Sequence, residues 1–340
     1  MANDSYHGAE DYSPMQLALR TSFASVTAIL SVVCNFVCLV VLPHVTSIPE
    51  NNRYFLMSLT IADFGTGIAT LTYIAPAANA EWVYSDDLCV WVCFFLHLSP
   101  LFSIISLIYL TVDKYVAIMK PLRYPQLITK RRVIGLIICT LFICAIYDAS
   151  LNSPLIPGHP AIYLVSAAIC VPGLIANSDV LLYHTFFSGV CVVFLPLGTI
   201  TLIYIHLYRI IRRQIREIQE RYGPSQEHYN KKSALHTEGR IIRMFAAITI
   251  TYAIAWIPYL VYTTYKNFTL NTIPWLDFIG NWFPYSGSWC DAVILIGMSP
   301  AFRKTAKRLL NKCMFVKGIR TAPNSDVFTI SARNNNNGES

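Results

Sequence analysis

The sequence predicts an all-α membrane protein: a seven-transmembrane helix bundle followed by a short amphipathic eighth helix. The first observation behind this is composition, 54% hydrophobic and only 13% charged, too apolar for the surface of a soluble domain. The second is that apolar runs recur near 18–43, 54–78, 90–118, 133–153, 182–208, 241–264 and 275–298. Each is about 20 residues or more, enough to cross a hydrocarbon core of roughly 30 Å as a helix. The third is the siding of charge: of 26 lysines and arginines, only Arg20 and Lys266 fall on the side of the N-terminus. Basic residues are retained in the cytoplasm, so the expected order is an extracellular tail at 1–17, the bundle at 18–298, the amphipathic helix at 299–313 and a cytoplasmic tail at 314–340. The net charge of +7 then faces anionic lipid. There is no basic, aromatic-interleaved soluble domain to bind nucleic acid.

The opening residues are polar and acidic (Asp4, Glu10, Asp11), so no cleavable signal peptide is expected. Asn3 and Asn267 begin glycosylation sequons, and both fall on the predicted outer side. Most of the ten cysteines lie inside spans, where small apolar packing is their expected role. Cys89 and Cys170 instead sit in outer segments, where an oxidising compartment would join them. Span one carries a lone buried amide, Asn35, and span two a deep carboxylate, Asp63, which must face the bundle interior and find a partner, an ion or a proton. The first outer loop reads Trp82-Val-Tyr-Ser-Asp-Asp-Leu-Cys89. Span three then runs inward to Asp113-Lys114-Tyr115, an acid and a base at the lipid edge that are costly unless used. Pro121-Leu-Arg-Tyr-Pro125 follows.

Taken in order and spacing, Asn35, Leu59-x-x-x-Asp63, Trp82 before Cys89, Asp113-Lys114-Tyr115 and Pro121-Leu-Arg-Tyr-Pro125 resemble the rhodopsin-like (class A) G-protein-coupled receptors. The rest of the chain extends the resemblance and departs from it in places. Span four has Cys139 where the family has a Trp, and the outer loop near 155–181 is apolar enough to fold over a pocket. Span five contains Pro196, similar to the family's bulge-forming proline, and Tyr204, similar to its inner tyrosine. Ile210, Ile211, Ile215 and Ile218 at helical spacing predict that span five continues as an amphipathic rod. A polar break at Gly223-Pro224 precedes span six, where Trp256-Ile-Pro258 matches the family's Trp-x-Pro. Span seven has Asp291-Ala292-Val-Ile-Leu295 in place of Asn-Pro-x-x-Tyr, losing both the proline and the tyrosine. The stretch from Pro300 to Cys313 fits a helix lying on the inner leaflet, in contact with membrane lipid, with Cys313 a palmitoylation site. Ser325, Thr329 and Ser331 offer phosphorylation sites in the polar tail, for a receptor kinase and then arrestin.

The resemblance assigns roles residue by residue. Asp113, Lys114, Tyr115, Leu122, Tyr204 and Glu238 become the coupling face for a heterotrimeric G protein. Lys114 is expected to pair with Asp113 and Glu238 and so tie spans three and six together; the family has arginine there, and lysine lacks its bidentate fork. Asp63, Ser103, Ser288 and Asp291 map to the family's buried sodium site, making a bound sodium ion the one implied cofactor. Two carboxylates in one dry pocket cannot both stay charged without a cation. The ligand pocket maps to Leu96, His97, Ser99, Ser188, Trp256, Tyr259, Asn281 and Tyr285, with Trp256 the ligand sensor. Leu96 stands where amine receptors carry a carboxylate. The lining therefore favours a small non-amine ligand, amphipathic and lipid- or steroid-like, with one or two hydrogen-bonding groups. Two alternatives are kept: a biogenic-amine-like receptor with a non-standard counter-ion, and an ion or solute transporter using Asp63 and Asp291. An opsin is disfavoured because span seven has no lysine. An enzyme is not expected, since no nucleophile–base pair or metal cluster faces one cavity.

Overall fold

The computed structural model describes residues 12–152, 161–172, 186–221, 226–269 and 271–321. Eight long helices organise them: α1 (Pro14–Val41), α2 (Glu50–Leu71), α3 (Asp86–Met119), α4 (Lys130–Asn152), α5 (Leu195–Arg221), α6 (Gln226–Thr269), α7 (Pro274–Met298) and α8 (Pro300–Thr321). Among the described residues, α1, α2, α3, α4 and α6 contain windows long and apolar enough to cross a membrane. In α5 the apolar run begins earlier, in the π-helical turn Ser188–Phe194. Helix α7 turns Asp277 and Asp291 into the interior, and these acids dilute its hydropathy without exposing charge to lipid. A row of large apolar side chains on α4, including Phe142, Ile143 and Ile146, stays exposed, as a lipid-facing surface requires.

Local chemistry sets the helix ends. Ser13 caps α1 in a reciprocal box with Gln16, and Ser85 caps α3 by accepting from the Leu88 amide. Helix α2 stops at Leu71, short of the 78 that hydropathy suggested, and a separate turn of helix covers Ile74–Asn79. Pro76 is the reason: it has no N–H to donate to the carbonyl four residues earlier, so the rod is interrupted before it. The π turn ahead of Pro196 relieves the same deficit in α5, as expected of a bulge-forming proline. Helix α6 reaches well beyond the predicted 241–264. The break at Gly223-Pro224 lies outside the described residues. Helix α8 runs on to Thr321, past the expected end at Cys313.

Packing brings α1 against α2 closely enough that a Cβ on Gly67 would lie 2.8 Å from the Val32 amide nitrogen and 2.9 Å from Ser31 Cβ. Ser58 donates to Ser106 at 3.0 Å, joining α2 to α3, and Tyr109 bonds Thr140, joining α3 to α4. One end of the bundle, called here the hairpin end, is closed by β1 (Ile162–Leu164) and β2 (Ile169–Val171). These pair antiparallel with Tyr163 opposite Cys170. A disulfide joins Cys170 to Cys89 at the start of α3, with a Cα–Cα distance of 5.6 Å. The opposite end, which carries Asp113 and Lys114, is the latch end.

Candidate functional site

At the latch end, Lys114 is only 2% exposed, and its Nζ lies 3.2 Å from Glu238 Oε2 on α6. Asp113 is not its partner, contrary to the sequence expectation. The Tyr124 hydroxyl donates to Asp113 at 2.9 Å, and Asn52, with its amide turned to suit both neighbours, donates to Asp113 and accepts from Lys114 at 2.8 Å. The two charges are therefore bridged by one amide and not paired directly: adjacent residues on a helix do not face each other, and each carboxylate has its own further partner, Tyr124 for Asp113 and Lys114 for Glu238. Burial, with Asp113 beside it, pushes the Tyr124 phenol up from its ordinary value, so it remains a donor. Asn52 is the member of this cluster that lies in no motif; Tyr124 lies in the Pro121–Pro125 motif, which gave it no role of its own. Tyr115 approaches the His206 ring at 6.4 Å between centroids. Tyr204 is buried and accepts from Thr111 at 2.7 Å. Leu122 stands 92% exposed, a projecting apolar side chain beside the latch.

Midway along the bundle, Asp63, Ser103, Ser288 and Asp291 converge on one small cavity of about 20 Å³, which Pro100, Tyr252, Trp256 and Pro284 help to close. That is enough for a single water-sized guest, which needs about 10–15 Å³. Asn35 braces the wall by donating to the carbonyls of Ser31 at 2.9 Å and Ser288 at 3.0 Å. Asp291 Oδ1, Asn35 Oδ1 and the Tyr252 hydroxyl are buried with no hydrogen-bond partner among the described residues. Two carboxylates, the Ser103 and Ser288 hydroxyls and the Tyr252 hydroxyl line this guest-sized space, an oxygen set that could hold a small hard cation.

Trp256 forms the floor of the next layer, stacked on Tyr252 at 5.6 Å and edge-on to Tyr259 at 5.7 Å. Toward the hairpin end, Leu96 and Tyr285 enter one buried cluster with Tyr73, Cys93, Phe278 and Trp282. The other predicted pocket residues spend their polar groups locally: His97 Nδ1 on the Cys93 carbonyl at 2.9 Å, Ser99 on the Phe95 carbonyl at 2.8 Å, and Asn281 on the Asp277 carbonyl at 2.7 Å. The Ser188 side chain lies outside the described residues. So does Asn3, and so does the side chain of Cys313; Asn267 is half-buried near the end of α6.

Sequence reading also missed a polar cluster at the hairpin end. Lys266 on α6 sits 3.3 Å from both carboxylate oxygens of Asp277 on α7. Ser166 of the hairpin turn donates to the same carboxylate, and Arg20 of α1 donates to the carbonyls of Val165 and Ser166. One signal was available: Arg20 and Lys266 are the only two basic residues assigned to that side.

A seven-helix bundle with a charged latch at one end, a buried carboxylate cavity at its centre and a disulfide-held hairpin at the other defines a polytopic receptor architecture. A family model for the 7 transmembrane receptor (rhodopsin family) matches residues 34–294. The chain belongs to that family of receptors, which are multi-pass proteins of the plasma membrane and not enzymes. As class A G-protein-coupled receptors, they act between a ligand and a G protein. Among curated relatives it is similar to G-protein coupled receptor 52 of Bos taurus, at 27% identity over 87% of this chain and 81% of that protein. It is also similar to Trace amine-associated receptor 9 of Rattus norvegicus, at 24% identity over 89% and 90%, and to Adenosine receptor A2b of Gallus gallus, at 24% over 85% and 87%. Squid rhodopsin superposes with a TM-score of 0.78 over 93% of this chain and 91% of that one, at 14% identity. The family assignment retires the transporter reading.

Proposed function

We propose that the chain is a receptor for a small, non-amine, amphipathic ligand, and that it activates a heterotrimeric G protein when the latch end of α6 swings away from α3. The hairpin end is then extracellular, with the N-terminal tail and the glycosylation sites Asn3 and Asn267 beside it. The single observation that carries the reading is the Lys114–Glu238 contact, which joins α3 to α6 below Trp256. A ligand that shifts Trp256 acts on α6 near Pro258, where the missing backbone hydrogen bond permits bending. Release of Lys114 and Glu238 would open a cleft lined by Asp113, Tyr115, Tyr204 and Leu122 for the G protein. The ligand must discriminate between the two states to shift them.

Asp63, Ser103, Ser288 and Asp291 would hold a sodium ion, whose charge would let both carboxylates stay ionised. These side chains tie α2, α3 and α7 together when the cavity is filled. The apolar Leu96, buried among aromatic neighbours, supports a ligand without an ammonium group. The segment from 299 to 313 would lie on lipid with Cys313 palmitoylated, and the tail from 314 would carry the phosphorylation sites that recruit arrestin after a receptor kinase acts. Nucleotide exchange by the four G-protein classes on the purified receptor in lipid nanodiscs, with and without a panel of amphipathic and amine compounds, tests the reading. Exchange with none of them, basal or stimulated, would overturn it. Stimulation by amines alone would transfer it to the amine class.

A further inference from the structure

The hairpin does more than cover the bundle; its turn is inserted in it. Ala167 and Ala168 are both 0% exposed, and they pack with Ile169 and Cys170 in the same cluster as Leu96, Trp282 and Tyr285. Backbone groups fix the position: Trp282 Nε1 donates to the Ala167 carbonyl at 3.0 Å, and the Cys170 amide donates to the Tyr73 hydroxyl at 3.2 Å. Ala168 holds a left-handed φ of 53°, a conformation that a β-carbon disfavours and that the surrounding contacts maintain. Leu96 and Tyr285, two of the residues assigned to the pocket, thus share a packed cluster with the chain's own hairpin turn.

The way it is held is informative. Arg20 is 1% exposed and, among the described residues, pairs with no carboxylate. Its guanidinium stacks over the rings of Tyr12 at 4.4 Å and Phe278 at 5.2 Å. Its Nη2 reaches the two hairpin carbonyls, while Nε and Nη1 are buried with no hydrogen-bond partner among the described residues. Nearby, Lys266 is matched by Asp277, which leaves Arg20 as a cation in excess within the described cluster. A buried charge with unsatisfied donors is costly, and neutral carbonyls answer it only in part. An anionic oxygen pair would bind the planar fork better.

We propose that the turn Val165–Ile169 is a tethered occupant of the ligand cavity, standing in for an amphipathic acid. In this assignment the Val165 and Ser166 carbonyls occupy the place of the ligand's carboxylate on Arg20. Ala167, Ala168 and Ile169 occupy the place of its aliphatic body against Leu96 and Trp282. A fatty-acid-like carboxylate displaces the turn and takes Arg20 from it. This rests on the receptor reading above and names the chemistry of the ligand. It does not depend on coupling to a G protein.

The test is hydrogen–deuterium exchange of the 162–171 amides in the full-length receptor in nanodiscs, titrated with dodecanoate below its micellar concentration and with dodecanol as the uncharged control. Dodecanoate should accelerate exchange of the hairpin about 10-fold or more, as expected when a protected segment opens locally. Dodecanol should not. Arg20→Gln should loosen the hairpin without ligand and abolish the response. If that variant fails to fold, Asp277→Asn serves instead: it replaces the carboxylate that Ser166 donates to by a weaker neutral acceptor but keeps Arg20, so the turn competes less well and the apparent affinity for dodecanoate should rise. Equal responses to dodecanoate and dodecanol, no response to dodecanoate, or a wild-type response in Arg20→Gln would overturn the proposal. So would unchanged affinity in Asp277→Asn. A dodecanoate response that depends on Arg20, without nucleotide exchange in any G protein, would uphold the site while removing the coupling reading.

Discussion

Replacing Glu238 by glutamine removes the charge that faces Lys114 while keeping the shape of the side chain. The closed state then holds a lysine that is 2% exposed and, among the described residues, has neutral amide oxygens, of Asn52 and of the new glutamine, in place of a carboxylate. At 3.2 Å the gross Coulomb attraction is about 5 kcal/mol for an effective dielectric of about 20. That is a ceiling, because forming the pair also desolvates both groups. Fully exposed pairs contribute about 0.2–1 kcal/mol, and breaking a fully buried pair costs about 3–5 kcal/mol. With Lys114 buried and the Glu238 side chain 34% exposed, the loss falls between these, at about 1–2 kcal/mol. Such a loss moves a two-state ratio by roughly 5–30-fold. A receptor with about 1% of molecules open would rise to several per cent or more, visible as raised basal exchange in membranes containing the responsive G protein. A cycle with Lys114→Gln isolates the pairwise part. Basal exchange at the wild-type level in Glu238→Gln, together with a coupling energy indistinguishable from zero, would refute the latch.

Three further outcomes follow from other contacts. Gly67→Leu places a side chain where even a Cβ would lie 2.8 Å from backbone; thermal unfolding in detergent should show a loss of about 1–3 kcal/mol from overpacking, and an unchanged transition would mean that α1 and α2 can separate freely. Asp63→Asn removes one of the two carboxylates of the central cavity, so the stabilisation expected when sodium chloride replaces choline chloride should disappear in a thermal-shift assay; equal sodium stabilisation in the variant would place the ion elsewhere. Tyr204→Phe deletes the acceptor for Thr111 and should cost about 1 kcal/mol in the closed form, read as a modest rise in basal exchange, whereas a fall would mean that the tyrosine hydroxyl serves the open form more.

The elements that sequence made legible are those that depend on one helix at a time. Apolar run length located the helices, and Pro196 marked the π turn, because both are local properties of the backbone in lipid. The Cys89–Cys170 pair could be placed from compartment alone. What escaped were contacts made between helices by residues in no motif. Asn52 reads as an ordinary polar residue near the start of α2, and only the bundle brings it between Asp113 and Lys114. Pairing Lys114 with Asp113 failed because adjacency in sequence is separation around a helix. Arg20 was noted only for which side it lay on, yet it is buried against a loop 145 residues away. The loop itself was legible as apolar; that apolarity gave no register, and register decides that Ala167 and Ala168, rather than Ile162 or Leu164, enter the interior.

These contacts give α6 a particular position in the molecule. Lys266, near one end, is held by Asp277 of α7, and Glu238, toward the other, is held by Lys114 of α3. At about 1.5 Å per residue the two anchors are roughly 40 Å apart, with Trp256 and Pro258 between them. A straight rod fixed at both ends can respond to a ligand only by translating or by breaking an anchor; a rod with a proline between its anchors can bend and release one alone. The anchors differ in kind. Asp277 also receives Ser166 of the hairpin, so displacement of the turn by a ligand removes a partner from the carboxylate that holds Lys266. The Lys114 anchor lies on α3, whose other end the Cys89–Cys170 disulfide ties to the hairpin. Movement of the turn therefore has a route into α6 through Asp277 and Lys266, while α3 is held to the hairpin covalently. The flexible, single-point charge of Lys114 makes that latch easier to release than an arginine fork would be.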